Sequence, residues 1–183
     1  MKSIADIFRS YGITDAAGRH VNGTDKMTNH NYGDAYESLF PDRNIKLMME
    51  VGVADGSSLL AWREIFPNAL IVGMDIHHSD KAYGDRIEFH YGDQRNKEHC
   101  ERAAAGREFD LIVEDAVHTL ENTLLTLYWL WPFVKPGGLY VVEEWDTVDK
   151  DRIKALWPNA EIVDTIGPFG GTESLVVLRK PLC

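Results

Sequence analysis

From residue 45 onward the chain alternates between two hydrophobic patterns. Residues 45–53 (IKLMMEVGV), 70–76 (LIVGMDI), 87–93 (IEFHYGD), 109–115 (FDLIVED) and 139–145 (LYVVEEW) are short runs rich in consecutive apolar side chains. Residues 57–66 (SSLLAWREIF), 97–106 (KEHCERAAAG) and 120–134 (LENTLLTLYWLWPFV) read as helices, the last ended by KPGG. Strands apolar on both faces, with helices between them, predict a parallel sheet covered on both sides. A short helix at 149–157 then leads to two more strands, 160–166 (AEIVDTI) and 173–180 (ESLVVLRK). Only GPFGG and one threonine separate these two, too little for a helical crossover, so they should pair antiparallel. The pattern predicts an α/β, Rossmann-like, doubly wound sheet of seven strands with a reversed last strand. The echo between FPNALIVGMD and WPNAEIVDT is explained by two similar helix-to-strand connections.

The first 44 residues stand outside this alternation. Residues 1–11 predict a helix, and residues 18–40 (GRHVNGTDKMTNHNYGDAYESLF) form a polar segment that serves as an N-terminal cap or as a lid. A length of 183 residues suits one domain, with residues 45–183 as its core. The formal net charge of −10 argues against a partner bound through phosphates, hence against nucleic acid. Cys100 and Cys183 form no CxxC pair and no zinc spacing, which suits a reduced, cytoplasmic protein. The charge-interrupted start is not a signal peptide, and no apolar run approaches the ~20 residues that span a membrane.

In open α/β sheets a ligand sits beyond the carboxyl ends of the strands. The first strand runs into EVGVADG, placing Glu50, Gly52 and Gly56 where a backbone can approach a ligand as a helix begins. The spacing E-x-G-x-x-x-G differs from the G-x-G-x-x-G of dinucleotide sites. Asp75 ends the second strand, where an acid can accept bonds from ribose hydroxyls, and Asp93 ends the third, beside an adenine edge.

Two further strands end in acids, in DLIVEDAVH (110–118) and LYVVEEWD (139–146). If neighbours, they bring Asp115, Glu143 and Glu144 into one crevice. Three anions there repel unless a cation sits among them, and oxygen ligands suit Mg²⁺ first and Mn²⁺ second. The simpler alternative is a set of solvated capping acids. His118 follows Asp115 by three residues, on one face if both lie on the first turn of a helix. Beside a metal it is a general base; alone it would be a core or capping histidine.

Glycine loop, two strand-end acids and reversed last strand together resemble the class I S-adenosylmethionine-dependent methyltransferases. The resemblance implies S-adenosylmethionine at Glu50, Gly52, Gly56, Asp75 and Asp93, with Gln94, Thr24 and Lys26 beside it. D-x-x-H at 115–118, the acidic pair at 143–144 and GTDK…H-x-Y…Y at 23–36 are similar to the metal-dependent sugar O-methyltransferases of macrolide and related glycosides, the mycinamicin type. That resemblance implies methyl transfer to a sugar hydroxyl of a small-molecule glycoside or glycan. It sets His30, Tyr32, Tyr36 and Trp145 near the acceptor, Trp145 otherwise being a rim aromatic. Glu144 departs from the aspartate of that family, which leaves metal geometry open, and no auxiliary N-terminal domain is expected ahead of the segment, which leaves acceptor choice and homo-oligomer formation open. A catechol-type phenolic O-methyltransferase is the alternative enzyme, although His118 stands where its base lysine would be. A non-catalytic nucleoside-binding module is a further alternative. An NAD-dependent oxidoreductase is disfavoured by the glycine spacing.

Overall fold

The computed structural model describes residues 2–77, 81–144 and 150–182. The chain opens with α1 (Ile4–Tyr11), a hairpin of β1 (Gly12–Thr14) and β2 (His20–Gly23), and α2 (Gly33–Leu39). The alternation follows as β3 (Leu47–Val51), α3 (Ser57–Ile65), β4 (Leu70–Asp75), β5 (Ile87–Tyr91), α4 (Lys97–Ala104), β6 (Phe109–Glu114) and α5 (Leu120–Leu130). It ends with β7 (Val134–Val142), α6 (Lys150–Leu156), β8 (Glu161–Ile166) and β9 (Thr172–Arg179). Seven strands form one sheet in the order β5-β4-β3-β6-β7-β9-β8, and only β9 runs against its neighbours. The predicted fold class is borne out, reversed strand included.

Three local departures have plain causes. The β1–β2 hairpin was not expected, because its few residues are mostly polar and exposed. The helix predicted over 120–134 stops at Leu130 and tightens into a 3₁₀ turn, Trp131–Phe133, because Pro132 has no N–H to continue the ladder. The following strand begins at Val134 rather than 139, absorbing the KPGG run as an irregularity opposite Phe109 and Leu111.

Register delivers the strand ends to one place. Val51 lies opposite Glu114, and Glu114 opposite Val142. Each parallel ladder extends one residue further: the Asp115 amide donates to the Val51 carbonyl (2.8 Å), and the Glu143 amide to the Glu114 carbonyl (2.9 Å). Neighbouring strands sit about 4.8 Å apart, so acids one residue past each end must meet.

The sheet carries an apolar layer on each face. On one, α1, α2 and α3 bury Ile4, Ile7, Phe8, Tyr36 and Trp62; on the other, α4 and α5 cover Val72, Cys100, Ile112 and Leu130. The N-terminal segment therefore shares the core of the sheet. Phe8 and Tyr36 both meet Trp62 edge-on, each at 4.9 Å between centroids. The Ser3 hydroxyl accepts from the Asp6 amide (3.0 Å) and the Glu37 carboxylate from the Ile4 amide (2.7 Å), satisfying donors that the first turn of α1 cannot pair internally. Among the described residues no helix is long and apolar enough to cross a membrane. Phe8→Ala should lower unfolding free energy by about 3–5 kcal/mol in denaturant titration, the scale for emptying a phenylalanine site. A loss no larger than that of a surface substitution would mean that α1 does not belong to the core.

Candidate active site at the strand ends

A cleft of about 520 Å³ opens beyond the carboxyl ends of β3, β4 and β6, within the range of small-ligand sites. The loop after β3 forms one wall. Gly52 takes φ +85°, and a Cβ there would lie 2.3 Å from the Asp115 carbonyl oxygen. No other residue fits between the two loops. Asp75 is the fastener of this loop: its Oδ2 accepts from the Val53 and Ala54 amides (2.9 Å each) and its Oδ1 from the His77 amide (2.7 Å). Gly56 lies behind the wall, where a Cβ would strike the Tyr83 ring.

Asp93 and Gln94 line the far side of the cleft. The Arg95 guanidinium pairs with Asp93 at 2.7 Å and holds its carboxyl below the usual carboxylate range. Gln94 is a bridge within the protein. Its amide nitrogen donates to Thr126 (2.9 Å) and Glu114 (3.2 Å), and its oxygen accepts from the Val117 amide (3.0 Å). Thr24 also lines the cleft, and its Oγ1 is buried without a hydrogen-bond partner among the described residues.

The cation among the strand-end acids is Lys26. Expected beside the cofactor, it is instead fully buried, with Nζ 2.6 Å from Glu143, 2.7 Å from Asp115 and 3.1 Å from Glu50. Glu50 sits behind the cleft, accepting from Ser58 (2.6 Å) and Trp62 Nε1 (3.0 Å). Tyr36 donates to the other oxygen of Glu143 at 2.5 Å. The carboxylate of Glu143, expected as a metal ligand, is thus engaged at both oxygens and lies outside the cleft lining. One ammonium does not neutralise three carboxylates. Burial pushes Asp115 up to about 6 against the pull of Lys26, and drives Glu143 well above its ordinary value.

Asp115, His118 and Glu144 do line the cleft, each offering a ligand atom within 4.8 Å of the others. His118 is not on the first helical turn. Residues 115–119 form a loop before α5, and convergence comes through Glu144, whose Oε2 lies 3.0 Å from His118 Nε2. Burial pulls the His118 pKa down, but the Glu144 carboxylate outweighs it and leaves the pKa raised. The other oxygen of Glu144 lies 2.8 Å from His30 Nε2. Burial alone would raise Glu144, yet the two imidazoles hold it far below the carboxylate range. Burial likewise opposes charge on His30, and the Asp25 and Glu144 carboxylates overcome it, raising its pKa to about 11.

The residues expected at the acceptor are placed differently. His30, Tyr32 and Tyr36 are buried and do not line the cleft. Trp145 lies outside the described residues. Two residues to which the sequence assigned no role join the site: Asp25, 3.2 Å from His30 Nε2, and Glu173 of β9, which pairs with His30 Nδ1. Asp25 is at least adjacent to Lys26 in the GTDK run; nothing in the pattern of β9 marks Glu173. Lys26→Met should cost about 3–5 kcal/mol of stability, the scale for removing one partner of a buried ion pair. Glu143→Gln in that background should recover part of the loss, because one fewer anion is left unpaired. A thermal melt unchanged by Lys26→Met would refute the cage.

Comparisons with known proteins bear on the family and the fold. Residues 49–145 match the family described as a methyltransferase domain. Demethylmacrocin O-methyltransferase of Streptomyces fradiae is 35% identical over 120 residues, 61% of this chain and 28% of that protein. Mycinamicin VI 2''-O-methyltransferase of Micromonospora griseorubida is 34% identical over 141 residues, 70% of this chain and 33% of that protein. Among solved structures, the MycE methyltransferase from the mycinamycin biosynthetic pathway, in complex with Mg, SAH and mycinamycin VI, superposes with a TM-score of 0.67. It is 26% identical and is matched over 86% of this chain and 39% of its own. The chain thus spans about a third of the length of the relatives it matches. Since the family match covers just over half of the sequence, including the glycine loop and the acids that end β6 and β7, the chain belongs to the methyltransferase domain family.

Proposed function

We propose that the chain is the catalytic domain of an O-methyltransferase that uses S-adenosylmethionine and a divalent cation to methylate a sugar hydroxyl of a glycoside. The observation that carries this reading is the Asp115, His118 and Glu144 cluster opening into the same cleft as the glycine loop. The names of the relatives support the glycoside acceptor, and the Mg and SAH of the MycE complex support the two cofactors.

The residues present fit both groups. Thr24 Oγ1 is a buried, unpartnered hydroxyl at the cleft, which a polar ligand would satisfy. Among the described residues Asp75 Oδ1 accepts one bond, from the His77 amide, and a carboxylate oxygen has a second lone pair for a ribose hydroxyl. Asp93 stays ionised beside the same cleft. Asp115 and Glu144 present the oxygen donors that a hard divalent ion takes. Glu143 backs them as the partner of Lys26 and Tyr36. When bound, a divalent ion lowers the pKa of a coordinated hydroxyl, as it does for water.

The remaining steps belong to the chain. Glu144 accepts from His118 Nε2, which fixes the tautomer and leaves Nδ1 as the basic nitrogen. His118 Nδ1 takes the proton of the acceptor hydroxyl, and Glu144 stabilises the imidazolium that results. The Gln94 bond to the Val117 amide holds the loop that carries His118. Gln94, Glu114 and Thr126 tie that loop to the cofactor side of the cleft, which favours a fixed distance between methyl donor and base.

The test is a glycoside panel assayed with labelled S-adenosylmethionine. Transfer should occur with Mg²⁺, stop in excess EDTA and return on adding Mg²⁺; full turnover in EDTA would end the metal-dependent reading, and transfer only to catechols would redirect the acceptor. His118→Ala should lose about 10²–10⁴-fold in kcat, the usual worth of a general base, with calorimetric affinity for S-adenosylmethionine and Mn²⁺ retained. Loss of Mn²⁺ affinity instead would make His118 a ligand.

A further inference from the structure

We infer that Glu173 is a positioning residue that fixes Glu144 at the site, acting through His30 and Tyr32. The inference rests on the reading of Glu144 as a cation ligand. Glu144 follows β7 and takes φ +51°, a left-handed conformation that residues with a side chain rarely adopt and that persists only where the surroundings enforce it. Besides His118, two rings of the N-terminal segment hold it. The Glu144 amide donates to Tyr32 Oη at 3.0 Å, and His30 Nε2 lies 2.8 Å from Glu144 Oε1. One ring therefore holds the backbone of Glu144 and the other its carboxylate. The rings stack on each other, 5.2 Å between centroids and 14° apart.

Both rings converge on a single atom. Tyr32 Oη donates to Glu173 Oε2 at 3.1 Å, and His30 Nδ1 pairs with that same oxygen. Tyr32 Oη thus passes the hydrogen bond on, accepting from Glu144 and donating to Glu173. An imidazole that offers one nitrogen to a ligand-bearing carboxylate and the other to a second carboxylate has its rotation fixed. The carbonyl of His30 is also bonded by Thr165 of β8 at 3.0 Å, and Asn31 donates to the Ile166 carbonyl at 3.0 Å. The segment carrying both rings is thereby sewn to the β8–β9 hairpin.

Topology explains why the anchor comes from β9. Every neighbouring parallel strand presents its last residues to the cleft. β9 runs the other way, with Val176 opposite Val142, so its first residues extend past the end of β7. Glu173 lies three residues before Val176, toward the start of β9 and on the side where Glu144 leaves β7. The reversed strand is the element of the sheet next to β7 that can supply a side chain there from its beginning.

The experiment measures Mn²⁺ affinity of the full chain by electron paramagnetic resonance and S-adenosylhomocysteine affinity by calorimetry, with thermal melts alongside. Glu173→Ala should weaken Mn²⁺ binding about 10–100-fold, the usual cost of losing a group that orients a ligand, with S-adenosylhomocysteine affinity unchanged. Glu173→Gln keeps an acceptor for both rings and should recover most of the affinity. Tyr32→Phe removes only the hydroxyl and should reproduce the Glu173→Ala loss, which keeps the test available if that variant does not fold. In a Glu144→Ala background, Glu173→Ala should cause no further loss, since the two act through one contact. Wild-type affinity in both Glu173→Ala and Tyr32→Phe, or an undiminished effect in the Glu144→Ala background, would overturn the inference alone. Absence of Mn²⁺ binding by the wild type would overturn the cation reading itself, and the inference with it.

Discussion

One buried ammonium group organises the site. Lys26 Nζ lies within 3.1 Å of carboxylates from the ends of three adjacent strands: Glu50 of β3, Asp115 beyond β6 and Glu143 beyond β7. An ionised carboxylate in such a place costs several kcal/mol without a partner, and so does an ammonium. The pairing is therefore mutual constraint. The acids hold the segment before α2 against the strand ends, and the lysine lets three acids coexist where the sheet register forces them together. One ammonium to three carboxylates still leaves the cluster short of positive charge, and Asp115 is the one of the three that lines the cleft.

That shortage falls on the residues that face the cleft. Glu143 is turned back to Lys26 and Tyr36, while Glu144, next in sequence, faces the other way and meets His30 and His118. The chain leaves the extended conformation of β7 between the two acids, and this separates them by function. One is fixed as a counter-charge in the interior, and the other stays at the rim where a ligand can reach it. The left-handed turn at Glu144 completes the change of direction.

The cofactor side depends on hydrogen bonds more than on charge. Asp75 grips the loop after β3 through two backbone amides, and Gly52 allows that loop to touch the loop after β6. Gln94 spans from the end of β5 to the same loop. Residues assigned to a ligand by motif can therefore also be the ones that set the spacing of the walls.

Much of this was legible in the sequence. Apolar runs and their spacing determined the strands and helices, because burial on two faces is a local property of each run. The short GPFGG link determined the reversed last strand, because no crossover fits in it. Glycines and strand-end acids marked the cleft, because few residue types tolerate those positions. Tertiary structure alone decided which cation met which anion. Lys26 lies 89 residues from Asp115 and 117 from Glu143, and only strand order brings them within hydrogen-bond reach. The same holds for His118, placed on a loop by Glu144 and Gln94 where helical spacing predicted a turn. It holds most for Glu173, whose strand reads as ordinary β sequence. Charge pairing acts through space, and a one-dimensional pattern records which groups need partners but not which partners the fold supplies.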